Sequence, residues 1–394
     1  MAKIETSRPL PRGHGPFIDV ETIERELAEL WQTPSAFDAR GAAVTLSRTS
    51  VLTLFVFVTG DTQAAEAREW ISQLSTQHPS RVVLLIMPEG SESETEQDAQ
   101  VSIQCHLEGG ERFAPCWEQI TITLNQTSLE ALSSIIIPLA LPDLPSFLWW
   151  YASPPVRDRA FRRVCQAVDR VILDSVNFGQ PLADFLALSA VLPELSRRET
   201  VLSDLNWSRL APWQEMTART FDLPQYQWAL DALTDVQVTI GHTPEKPANP
   251  LQAILYLGWL SNRLNWQLTE ASGTEDHWTL EVRGPDDRPI HWELLCTRCE
   301  QAMSGHLLTV QFRAQQRGEQ IRFAITRSEE RQTMVKLHLI DHRQQEMHYA
   351  FHHAHLDPQR LLLRELQSFS PDPLYAEAVH EAEQFARVLQ RWLS

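Results

Sequence analysis

Glycine is scarce in this chain, 14 residues among 394 against 24 prolines. Flexible glycine loops that let a backbone wrap a phosphate are correspondingly few. No GxGxxG follows an apolar run, and GxxxxGK[ST], GxSxG and HExxH are all missing. The helical stretch bearing His380 and Glu381 lacks the second histidine that a zinc hydrolase needs. Basic charge is also short: 34 Lys and Arg face 51 Asp and Glu, a formal net charge of −17. Such a field repels phosphate backbones and anionic lipid, so neither nucleic acid nor a membrane surface is an expected partner. Cysteines number five, at 105, 116, 165, 296 and 299. An odd count in a chain of this size implies no disulfide framework. The opening MAKIETSRPLPRGHG has no apolar core of a secretory signal, which predicts a cytoplasmic protein. Residues 132–152 are long and apolar enough to suggest a membrane span, but Pro138, Pro142 and Pro145 interrupt them and Asp143 sits mid-run. A central aspartate costs about 2.5–3.5 kcal/mol on insertion, so no span is predicted.

The patterning predicts an α/β chain in two domains. Residues 1–40 read as a loose arm followed by a helix with Asp19 as N-cap. Residues 41–234 read as an α/β domain with a mostly parallel sheet. VLTLFVFV (51–58), RVVLLIM (81–87) and RVIL (170–173) are continuous apolar runs, as strands buried on both faces require, and helical stretches separate them. NWSRLAPWQEMTARTF (206–221) is helical, with Pro212 expected to kink or restart it. Residues 235–394 read as an α+β domain. A helix following Pro250 leads into short alternating strands of an antiparallel sheet, and two C-terminal helices close the chain.

Few residues carry chemistry. Cys296 and Cys299 form a single CxxC at a strand end, a candidate redox pair or half of a zinc site. Cys105 and Cys116 flank a Gly-Gly turn that could bring them together. His348, His352, His353 and His355 cluster, with His353 and His355 on one strand face. No acidic or thiol ligand is placed to complete that set, so no metal is expected. Asp174 and Ser175, after RVIL, stand where a parallel sheet would present a sugar phosphate or nucleotide.

Tryptophan is abundant, with 13 residues. In LPDLPSFLWWY (141–151) the prolines stiffen the entry, Asp143 suits a turn, and Phe147 with Trp149 opposes Leu148 with Trp150. In DLNWSRLAPW (204–213) Asp204 or Asn206 can cap a helix carrying Trp207 and Arg209, and Trp213 follows the proline. Two readings stand for each segment, a packed core or a preorganised docking anchor. The docking reading makes Asp143, Trp149, Trp150, Asn206, Trp207, Arg209 and Trp213 the partner-binding candidates.

PSRVVLLI (79–86), LPDLPSFLWW (141–150), DSVNF (174–178), DLNWSRLAPWQEM (204–216) and LYLGWLSNRLNW (255–266) together resemble the OpcA family of glucose-6-phosphate dehydrogenase assembly proteins. The resemblance covers roughly residues 50–270. It implies a non-catalytic bacterial partner, without cofactor, that binds glucose-6-phosphate dehydrogenase and promotes its active oligomer in the oxidative pentose phosphate pathway. In photosynthetic members it also implies redox control, although no family cysteine pair maps onto the five cysteines. The rival readings are a sugar-phosphate or nucleotide enzyme on the α/β domain, and a thiol sensor using Cys296 and Cys299.

Overall fold

The computed structural model describes residues 2–9, 19–32, 36–37, 43–89, 98–107, 113–124, 132–245, 248–274, 276–284, 286–300, 303–328, 334–340, 346–352 and 358–393. The fold is mixed α/β, as the patterning predicts. It divides into two compact units, one of residues 1–173 with 193–202, the other of residues 174–192 with 203–394. The chain thus crosses between them three times, where the sequence suggests a single joint near residue 234.

In the first unit a ten-stranded sheet is built around strands with no polar face. β1 (Ala2–Pro9), β2 (Ala36–Phe37) and β3 (Ala43–Arg48) precede β4 (Thr53–Thr59), β5 (Arg81–Met87), β6 (Asp98–Leu107), β7 (Phe113–Thr123), β8 (Ser146–Trp150), β9 (Arg170–Leu173) and β10 (Val201–Asp204). Six of the seven residues in each of β4 and β5 are buried. The pairs β4–β5, β4–β8, β5–β7 and β8–β9 are parallel, while β6 runs antiparallel to β7. The helices are α1 (Val20–Trp31), α2 (Gly60–Gln77), α3 (Leu132–Leu139) and α4 (Arg159–Cys165), while α5 (Pro181–Arg197) starts in the second unit and ends in this one. Asp19 caps α1 through its side chain, accepting from Glu21 N. The apolar stretch 132–152 resolves into α3, a turn and β8, and no helix among the described residues is long and apolar enough to cross a membrane.

The second unit holds an eight-stranded sheet: β11 (Leu233–His242), β12 (Gln267–Gly273), β13 (His277–Arg283), β14 (Pro289–Arg298), β15 (Leu307–Gln316), β16 (Glu319–Arg327), β17 (Met334–Ile340) and β18 (Glu346–His352). Their order is β12-β13-β14-β11-β15-β16-β17-β18. All pairs are antiparallel except β11–β14, which is parallel, so the predicted sheet is mixed at its centre. Alternation sets the faces: Trp278, Leu280 and Val282 are buried while Thr279 and Glu281 point away. The helices are α6 (Leu205–Ser208), α7 (Ala211–Phe221), α8 (Leu251–Leu264), α9 (Pro358–Gln367) and α10 (Pro373–Leu393). Phe221 of α7 meets Phe312 and Phe323 edge-on, which explains why residues 203–232 join this unit. α8 lies close on α10: a Cβ at Gly258 would fall 2.4 Å from the Ala378 carbonyl oxygen.

Candidate functional site

The motif segments at 174–178 and 204–209 meet inside the second unit. Asp174 follows β9 and caps a short 3-10 turn over Ser175–Asn177; Asp204 closes β10 and caps α6. The Asp204 Oδ1 accepts from Ser175 N at 3.0 Å and Asn206 N at 2.9 Å. Asn206 donates from Nδ2 to Ser175 Oγ at 3.0 Å and accepts at Oδ1 from Gln252 Nε2 at 3.0 Å. Gln252 Oε1 in turn accepts from Leu307 N at 2.6 Å. Asn249 donates to the carbonyls of Ser175 and Val176. Arg209 grips Asp174 with both Nη atoms, at 2.8 and 2.6 Å.

This cluster is buried and crowded with charge. Asn206 and Gln252 are fully buried, and Asp174, Asp204 and Arg209 nearly so. Burial pushes the Asp204 carboxyl up to about 7, with the Asp174 charge adding to the shift and hydrogen bonds from Ser175 and Asn206 opposing it. Burial, reinforced by Arg209 and Arg327, holds His306 well below its ordinary value, so it is neutral. Arg327 drops to about 10, through burial and then the nearby Arg209 charge. Its guanidinium lies 5.8 Å from the Trp213 ring centroid.

The anchor expectation therefore changes. Trp149, Trp150, Trp207, Trp213, Asn206 and Arg209 are all buried, and a buried side chain offers a partner no surface. In the first unit Trp150 stacks on Phe57 at 4.2 Å and Trp149 on Trp70 at 5.4 Å. Asp143 alone among the candidates is exposed; it supplies the left-handed residue (φ 60°) of the turn between Pro142 and Leu144. What the motif does reach is an outer turn. Trp207 Nε1 donates to Asp372 Oδ2 at 2.8 Å, and Ser208 Oγ to Glu365 Oε1 at 2.8 Å. Asp372 also caps α10, accepting from Leu374 N at 2.9 Å. The α9–α10 turn so held exposes Phe369 (62%), and the first turn of α10 exposes Leu374 (39%), two of the few exposed large apolar side chains among the described residues. Sequence reasoning missed both, because Phe369 reads as the end of one C-terminal helix and Leu374 as the start of the next, with nothing to mark either as exposed. Asn249 and Gln252 were missed too, having been read as loop and apolar helix. Trp207→Phe is expected to cost about 1 kcal/mol, since Asp372 is exposed, and to speed amide exchange over residues 368–374.

The thiol sites also differ from expectation. Burial, then Asp276, pushes the Cys296 thiol up to about 12; burial also raises Cys299. Neither is an activated thiolate. Cys105 and Cys116, opposite each other on β6 and β7, are joined in a disulfide. Of the histidine group, His353 and His355 lie outside the described residues.

The chain matches the family of the glucose-6-phosphate dehydrogenase subunit N-terminal domain over residues 71–190. It matches the corresponding C-terminal domain family over residues 200–379. The chain belongs to the OpcA family. Relatives carrying the name OpcA, of the OxPP cycle, include one from Synechococcus elongatus, 34% identical over 226 residues, and one from Nostoc punctiforme, 35% identical over 226 residues. Each alignment covers 56% of this chain and 48% or 46% of the relative, so the match spans about half the length of those OpcA proteins. Among solved structures, two mutants of KijD10, a 3-ketoreductase from Actinomadura kijaniata in complex with TDP-benzene and NADP, give TM-scores of 0.52 and 0.51. They are 10% and 11% identical, over 87% and 86% of this chain and 98% and 97% of theirs. At that identity the likeness is one of fold. The motif cluster built from Asp174, Asp204, Asn206 and Arg209 lies within or beside the matched OpcA domains.

Proposed function

We propose that this chain is a non-catalytic assembly factor that binds glucose-6-phosphate dehydrogenase in the cytoplasm and promotes its active oligomer. The observation that carries the reading is the use of the motif side chains: they prop the α9–α10 turn from within and leave its Phe369 and Leu374 facing solvent. A rigid turn with two apolar tips meets a partner at low ordering cost. Activation then follows by linkage: a tenfold preference for the active oligomer shifts its equilibrium by about 1.4 kcal/mol. The test mixes the chain with its cognate dehydrogenase and follows size and rate together. Phe369→Ser with Leu374→Ser removes two apolar contacts and is expected to weaken co-elution and activation about 100-fold, with unfolding unchanged. Full activation by the double variant would remove the turn from the interface; no co-elution by the parent chain would remove the partner.

The fold likeness to an NADP-bound reductase favours a second reading, a nucleotide enzyme. Three features oppose it. Gly60 opens α2 after β4 with φ +71°, and a Cβ there would fall 2.6 Å from the Glu89 carboxyl, so an anionic group stands at the helix start a pyrophosphate would occupy. The Asp174–Ser175 corner is filled by Arg209 and Asn206. A cleft of about 270 Å³ beside Asn262, Asn265 and Gln384 is lined by the carboxylate of Glu381 and by no basic residue. Thermal shift with NADP and sugar phosphates is expected to show no stabilisation; a rise with either would favour the enzyme.

A further inference from the structure

The second unit's sheet carries a group that the motif cluster does not use. His338 of β17 and His348 of β18 are direct cross-strand partners, and Glu346 lies two residues before His348 on the same face. One ligand atom from each lies within 4.8 Å of the other two. The Glu346 Oε2 stands 3.7 Å from His338 Nε2 and 3.5 Å from His348 Nε2. These distances are longer than ordinary hydrogen bonds and lie within ion-pair range only when an imidazole is protonated, so three potential ligand atoms stand close together without being tightly paired. His338 Nε2 is shielded from solvent and has no hydrogen-bond partner among the described residues.

We propose that His338, Glu346 and His348 form a binding site for a zinc-class divalent ion, with the fourth position open. Two imidazoles and a carboxylate are the donor set of three-ligand zinc sites, and the imidazoles select against calcium and magnesium. Ligand atoms around tetrahedral zinc lie roughly 3.4 Å apart, so the carboxylate needs to shift only by tenths of an ångström. The two rings are stacked, 4.4 Å between centroids and 7° between planes. Converging on one ion takes rotation of one ring about χ2, a soft torsion. Two paired strands fix the backbone of all three ligands, so little ordering is required. Lys336, one row away on β17 and exposed, is the nearest opposing charge along that strand. A second imidazole–carboxylate group on the same sheet shows the contrast. His291 Nδ1 bonds Glu281 Oε1 at 2.7 Å, a direct hydrogen bond that the His338–Glu346–His348 group lacks.

The test uses the full chain stripped with chelator and dialysed against Zn²⁺, with Co²⁺ as the coloured stand-in. One ion per chain and the visible band of tetrahedral Co²⁺ are expected. His338→Gln or His348→Gln should weaken binding by more than about 100-fold, because loss of an outer-shell partner alone costs 10–100-fold. His291→Gln and the triple alanine variant of His352, His353 and His355 should leave it intact. Both His338 and His348 are substantially exposed, so their glutamine variants are expected to fold, which circular dichroism checks. No bound ion, binding unchanged in folded His338→Gln and His348→Gln, or binding lost in either control would overturn the assignment.

Discussion

Arg209→Ala is expected to cost about 3–5 kcal/mol of folding stability, read as a lowered urea midpoint at unchanged slope. The guanidinium is buried and bidentate on Asp174, and both carboxylate oxygens of that residue depend on it. Removing it takes both ionic bonds from a mostly buried carboxylate near Asp204, leaving only Val176 N on Oδ1. Part of the loss is offset, because Arg327 sits close enough to Arg209 for the two cations to repel. The net sign stays destabilising, since an uncompensated buried charge costs more than relief of repulsion between two separately placed cations. Two companions isolate the cause. Arg209→Lys keeps the charge but loses the fork, and should recover only part of the loss. Arg209→Met with Asp174→Asn leaves no stranded charge and should lie closer to the parent than Arg209→Ala does. A single alanine variant within 1 kcal/mol of the parent would show that the pair is not holding the motif cluster together.

The parts of the fold that were legible are those where one local pattern decides. VLTLFVFV and RVVLLIM are almost wholly apolar, with Thr53 and Arg81 only at the strand starts, so they read as buried parallel strands and form β4 and β5. Pro212 at the start of α7 and Pro250 before α8 mark helix starts because the first turn needs no proline N–H, although Pro138 and Pro193 lie inside α3 and α5. The parallel pairing of β11 with β14 was not legible, because strand alternation is the same for either direction. The division at 173/174 was hidden too: nothing local in β10 or α5 says which core their far ends join.

The candidate site was legible as a set of residues and not as a set of roles. Trp207 and Arg209 are amphipathic side chains whose partners could be solvent, another protein or this chain. The partners prove to be Asp372, 165 residues away, and Asp174, 35 residues away, and sequence spacing does not encode such pairings. The same limit applied to the histidines. His338 stands alone in its strand, and only the register of β17 against β18 brings it to His348.

The Asp204→Asn variant is expected to reverse the pH response of the second unit. In the folded chain the Asp204 carboxyl titrates near 7, against 3.8 as its ordinary value, so between those limits the native state holds a proton that the unfolded chain releases. The sign follows: stability owed to this group is present at pH 4, falls as pH rises, and is lost above about 7. The total is about 4 kcal/mol. Asparagine keeps an oxygen for the Ser175 and Asn206 N–H groups, and carries no charge to bury. Its amide also replaces Oδ2, which has no hydrogen-bond partner among the described residues. The variant should be close to the parent at pH 4 and more stable at pH 8. Other carboxylates give the opposite slope, so the readout is parent minus variant from urea midpoints across that range; parallel curves would refute the assignment. Because Asp204 caps the helix carrying Trp207, loss of this group's stability loosens the support of the α9–α10 turn. Binding to the dehydrogenase should therefore weaken with rising pH in the parent and hold level in Asp204→Asn, which couples one buried proton to the presentation of Phe369 and Leu374.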